Sequence, residues 1–142
     1  MKNILLLLAA TLFINTALAD PVPPRLMKKL QAYQVMKANL KNGVLKLTMS
    51  HPMVTHEIYE ETITKGACAV LADSPEKGWE KTIIDRIEVL SKDERQGYAF
   101  IDARQSCLAM QSMTDKEKKK AFFTEHTWIC SMEICDEPPA EK

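Results

Sequence analysis

Lys81-Thr82-Ile83-Ile84-Asp85-Arg86-Ile87-Glu88-Val89-Leu90-Ser91, followed beyond Lys92-Asp93-Glu94-Arg95-Gln96-Gly97 by Tyr98-Ala99-Phe100-Ile101, is the stretch that decides the fold class. Ile83, Ile87 and Leu90 fit a helical period, whereas Ile83, Ile87 and Val89 fit a strand. Composition separates the two. Thr82, Ile83, Ile84, Ile87 and Val89 are all β-branched, and such side chains suit a pleated surface better than a helix. Two such runs, joined by a polar loop that ends in glycine, read as a β-hairpin. A central hairpin in a chain with helical patterns on both sides makes the expected class α+β.

Toward the N-terminus, the Pro-rich residues 20–24 (Pro21, Pro23, Pro24) predict an extended lead-in. Residues 25–41 read as a helix, because Leu26, Leu30, Tyr33, Met36 and Leu40 recur at spacings of three and four. Asn42-Gly43 is read as its stop. Residues 44–49 alternate loosely and predict a short strand. Pro52 fits a first helical turn, and residues 53–73 predict a second helix with Tyr59, Ile63, Ala67, Val70 and Leu71 on its apolar face beside Cys68. Ser74-Pro75 ends it.

Toward the C-terminus, Asp102 reads as the cap of a helix over 103–113 that carries Cys107 inward. Thr114-Asp115-Lys116-Glu117 has a capping-box pattern and starts another helix to about residue 124. The tail from Pro138 is charged and Pro-containing. The expectation is one small disulfide-bonded α+β domain with N-terminal helices, a central β-hairpin and C-terminal helices.

The first nineteen residues read as a secretory signal peptide. Lys2 supplies the positive start, residues 4–13 an apolar run, and Ala17-Leu18-Ala19 the small residues before a cut that leaves Asp20 first. The run is too short for a membrane span of about 20 residues. Residues 20–142 are then the exported domain, with a periplasmic address and no stable membrane insertion. Removing Lys2 leaves 18 basic and 19 acidic side chains. That balance argues against a nucleic-acid partner, which calls for a clustered positive excess. The one dense charge run, residues 116–120, reads as a solvated helix face.

All four cysteines, Cys68, Cys107, Cys130 and Cys135, lie beyond the expected cut, and an even count in an exported chain predicts two disulfides. Three pairings are possible from the sequence. Cys68–Cys107 with Cys130–Cys135 is the expected one, because it ties the second helix to the helix after the hairpin and joins near neighbours. The entropic model gives about 4 kcal/mol for the 40-residue loop and about 2 kcal/mol for the six-residue loop.

The short loop is the candidate binding site. Closed by Cys130 and Cys135, it would present Met132, Glu133 and Ile134 on a preorganised knuckle, which lowers the ordering cost of binding. Over these six residues the segment resembles the cysteine-closed loop of the Ivy-type periplasmic lysozyme inhibitors. Those are small exported α+β proteins that use the loop as a wedge in the enzyme's cleft. The likeness lies in the cysteine spacing, since the Lys-Pro-His-Asp filling of that family is Ser131-Met132-Glu133-Ile134 here. The resemblance implies an inhibitor with a protein partner, while a staple that only orders the C-terminus is the structural alternative.

Other groupings suggest rival roles. Met49, His51, Met53 and His56 offer thioether and imidazole donors that suit copper. Against this, Pro52 stiffens the segment, the histidines are five apart, and methionine commonly fills core gaps. No metal or other cofactor is expected. The chain has no Gly-x-Ser-x-Gly elbow, His-Glu-x-x-His motif or phosphate loop, and Asp85 with Arg86 or Asp102 with Arg104 read as surface pairs or caps. Trp79, Tyr98, Phe100 and Trp128 read as core anchors. The expected function is therefore a non-enzymatic periplasmic binding protein, of inhibitor or immunity type, acting on another exported protein. A copper-binding protein and an envelope structural or assembly factor are the alternatives.

Overall fold

In chain order the elements are α1 (Pro24–Gln31), β1 (Val35–Lys41), β2 (Val44–Met49), α2 (His56–Glu61), a π-helical segment (Thr62–Ala67) and α3 (Cys68–Leu71). After them come β3 (Arg86–Leu90), β4 (Gln96–Ile101), α4 (Ala103–Ser112), α5 (Lys116–Glu125), β5 (Thr127–Ser131) and β6 (Ile134–Asp136). This computed structural model describes residues 19–73, 83–132 and 134–136. The six strands form one sheet in sequence order. All neighbours are antiparallel except β2 and β3, whose parallel pairing is bridged by the α2–α3 crossover. The class is α+β, as the hairpin predicts.

That hairpin is β3–β4, with Ile87 opposite Phe100 and Leu90 opposite Gly97. Residues 81 and 82 of the expected strand lie outside the described residues. Period-2 alternation sends Leu45 and Leu47 of β2, Ile87 and Val89 of β3 and Phe100 of β4 to one face, all fully buried. Every helix adds its buried side chains to the same cluster: Leu26 and Leu30, then Tyr59, Ile63, Ala67, Val70 and Leu71, then Cys107 and Met110, then Phe123. The five apolar positions expected on the second helix are thus its buried face.

Two disulfides close as expected. Cys68–Cys107 joins α3 to α4 with Cα atoms 5.0 Å apart, and Cys130–Cys135 joins β5 to β6.

Several boundaries differ from the sequence reading. The helix expected over 25–41 ends at Gln31, turns through Tyr33 and a left-handed Gln34, and continues as β1. Asn42-Gly43 stops no helix. Both residues are left-handed (φ 51° and 77°), and they form the two-residue turn of the β1–β2 hairpin, the strongest use of that dipeptide. Met36, placed on the expected helical stripe, is instead exposed at the start of β1. The second helix begins later than Pro52, at His56, where the Thr55 side chain accepts from the Ile58 amide. Asp102 is left-handed and makes no side-chain cap. The α5 cap is Asp115 rather than Thr114, accepting from the amides of Glu117 and Lys118. The C-terminal segment taken as a loop after helices is the β5–β6 hairpin.

Candidate functional site

The stapled segment is a tight hairpin rather than a free loop. Ser131 pairs with Ile134, Cys130 with Cys135 and Ile129 with Asp136, which puts Met132 at the turn. Met132 has a left-handed φ of 52°. Its amide donates to the carbonyl of Arg95 in the β3–β4 loop at 2.8 Å. Cys130 is buried with Leu90 and Ala99, and Trp128 and Cys135 pack against them. The base of the turn is therefore fixed by a covalent bond, a small apolar cluster and a hydrogen bond to the neighbouring loop.

Met132 and Ile134 project from that base, 64% and 62% exposed. Glu133 lies outside the described residues. The sequence reading missed Ile129, which is 53% exposed and lies diagonally from Ile134 on the same face of the hairpin. The β-rich run Thr127-Trp128-Ile129-Cys130 carried a strand signal that would have placed it there. The tip thus has aliphatic contact groups, and both cysteine pairs of the chain are oxidised, so no thiol nucleophile is offered.

The other candidate groups sit elsewhere. Met49 is completely buried in the core, while Met53 is exposed. His51 is half-buried, and its carbonyl accepts from the Lys92 amide at 2.8 Å. His56 lies 3.8 Å from Glu60 and sets its ring edge-on to Tyr59, Tyr98 and Phe123. Arg86 pairs with Glu88 at 2.9 Å rather than with Asp85. Tyr98 stacks on Tyr59 and Phe100 on Phe123, as core anchors do, and Trp79 lies outside the described residues.

Tyr59 is the most perturbed group. It is fully buried, and burial pushes its phenol far above the ordinary range; its hydroxyl lies 3.0 Å from that of Thr127. Thr127 uses its single proton on the Phe123 carbonyl at 2.8 Å, so Tyr59 is the donor between the two hydroxyls. The position is structural, beneath α5.

Among the described residues no helix is long and apolar enough to cross a membrane, and no three His, Cys, Asp or Glu side chains group as a metal requires. The chain matches no family model, no curated protein and no solved structure.

Proposed function

We propose that the chain is a non-enzymatic binding protein that acts on another exported protein, as an inhibitor or immunity-type factor, through the tip of the β5–β6 hairpin. Its N-terminal segment directs it to the periplasm, with cleavage after Ala19. The observation that carries this reading is the exposure of Met132 and Ile134 on a turn held from three sides. An exposed apolar tip without such restraint would have to be ordered on binding, and ordering costs about 0.5–1.5 kcal/mol per side chain. Held in place, it suits insertion into a partner's cleft. Oxidised cysteines accord with an exported destination.

The test places a photo-crosslinking residue at Met132 and, as a control, at Leu108, which is also exposed but lies on α4. Cross-linking in periplasmic extract from position 132 alone, lost on excess unlabelled protein and not competed by Met132→Asp, supports the reading. The captured protein should then lose activity when the purified chain is added stoichiometrically. Equal labelling from both positions, or full competition by Met132→Asp, removes the tip as the site.

A further inference from the structure

The face of the sheet turned away from the helices is sorted by polarity. Across β3 to β6 it carries Leu90, Ala99, Trp128 and the Cys130–Cys135 disulfide, packed on one another. Across β1 and β2 it carries Lys37, Asn39 and Lys41, which stand in register opposite Thr48, Lys46 and Val44. These six side chains line a concavity of about 510 Å³.

One carboxylate already lies in it. Glu94, on the β3–β4 loop at a left-handed φ of 61°, accepts from the Thr48 hydroxyl at 2.7 Å. Its oxygens stand 3.7 Å from the Lys37 ammonium and 4.0 Å from that of Lys46. Thr48 first, and the two lysines after it, hold the Glu94 carboxyl below the ordinary range. The donors of this strip therefore close on a carboxylate within the chain itself. Farther along, Lys41 is exposed and has no acidic partner among the described residues. Glu88 of β3, beside Lys46, is buried and tied to Arg86.

We infer that this strip docks carboxylates of an acidic protein surface, with Lys41, Lys46 and Asn39 making for a partner's carboxylate the arrangement that Thr48, Lys37 and Lys46 make for Glu94. This names the chemistry of the partner proposed above and rests on that reading. Lys37, Lys41 and Lys46 meet one carboxylate, Glu94, while Arg86 and Glu88 of neighbouring β3 pair with each other, so an anionic surface is the complementary one. Lysines on an edge strand also discourage strand-to-strand aggregation. That role explains Lys37 and Lys41 on β1, but neither Lys46 on the interior strand β2 nor the inward Glu94. Nucleic acid fits less well, because the chain's formal net charge is zero and the strip offers three lysines where phosphate backbones engage about 6–10 contacts.

Fluorescence anisotropy with a labelled hexaglutamate peptide, at low and moderate salt, tests this on the intact oxidised protein. Saturable binding should weaken at least tenfold in Lys41→Glu/Lys46→Glu. Glu94→Gln, which removes the internal competitor, should tighten it severalfold, whereas Glu117→Gln, the same charge change on α5, should not. The decoy is the lysine run of α5. If Lys118→Glu/Lys120→Glu abolishes binding and the sheet variant does not, or if the peptide fails to bind, the inference is overturned. Equal or tighter binding of a labelled oligonucleotide at the strip would overturn the choice of partner. Met132→Asp should leave hexaglutamate binding unchanged, so failure of the tip as a docking site and failure of the strip are read separately.

Discussion

The Met132 amide donates to the Arg95 carbonyl, and the residue before Arg95 is Glu94, whose side chain reaches Thr48 on β2. Two adjacent loop residues thus connect the hairpin tip at one side of the sheet to the basic strip at the other. Strands spaced about 4.8 Å apart put β1 and β5 roughly 19 Å from each other. The relationship makes the backbone at Met132 a point where stability and binding can be separated.

Met132 holds a left-handed φ of 52°, which glycine adopts without the steric cost a side chain brings. Met132→Gly should therefore leave the fold unchanged or stabilise it by about 0.5–1 kcal/mol, while removing the apolar contact group. Thermal unfolding should show an equal or higher Tm, and the cross-linking partner should no longer be retained. Met132→Val should move the other way in stability, because a β-branched side chain tolerates that conformation least. A lower Tm for the glycine variant would mean that the methionine side chain contributes to packing.

The two disulfides should differ in consequence. Replacing Cys68 and Cys107 by alanine opens the longer loop and should cost about 4 kcal/mol by the entropic model. Replacing Cys130 and Cys135 should cost about 2 kcal/mol. The second change should lower partner affinity by more than its stability loss suggests, since it frees the tip. Denaturant unfolding of both double variants, beside partner binding measured where both are folded, checks the ranking.

Where the sequence was legible, one local signal agreed with its tertiary setting. The β3–β4 hairpin was marked by β-branched residues and a polar loop, and the second helix by five apolar positions that all became buried. It misled where one pattern served two structures. Leu26 and Leu30 are helical, and Leu40 continues their period by coincidence from within β1, where the pairing of Leu40 with Leu45 determines its direction. The tip was visible as two cysteines with exposed candidates between them, but Ile129 was not, because its place beside Ile134 depends on strand register. The basic strip was least legible. Lys37, Lys46 and Glu94 are distant in sequence, and only the β1–β2 register and the turn of the β3–β4 loop bring them together.

Stability should fall in base because of Tyr59. Burial raises its ionisation well above the ordinary phenol range, so the folded state keeps the phenol proton when the unfolded state loses it. Below about pH 9 both states hold the proton and the group adds no pH dependence. Above about pH 10 the unfolded state binds fewer protons, and stability should drop by about 1.4 kcal/mol per pH unit from this residue. Tyr59→Phe should remove that slope, at a cost near neutrality of about 1 kcal/mol for the lost bond to Thr127. Denaturant midpoints from pH 7 to 11 for both proteins measure the difference. Parallel curves would assign the base sensitivity to other groups.

Gly97 should be the least replaceable residue of the sheet. It sits in β4 between Leu90 of β3 and Cys130 of β5. A Cβ there would lie 2.0 Å from the Val89 carbonyl oxygen and 2.9 Å from the Leu90 Cα, both backbone atoms of a central strand. Neither can move without separating β3 from β4, whose pairing places Phe100 over Ile87 in the core. Gly97→Ala should therefore destabilise the protein by about 3 kcal/mol or more, far above the typical surface effect of about 0.5 kcal/mol. Because Gly97 also pairs with Cys130, the damage should reach the hairpin. Amide exchange should quicken at Arg95, Gln96 and Met132 before it quickens in α5. A variant with unchanged stability and protected tip amides would contradict the close approach of β3 and β4 on which this prediction stands.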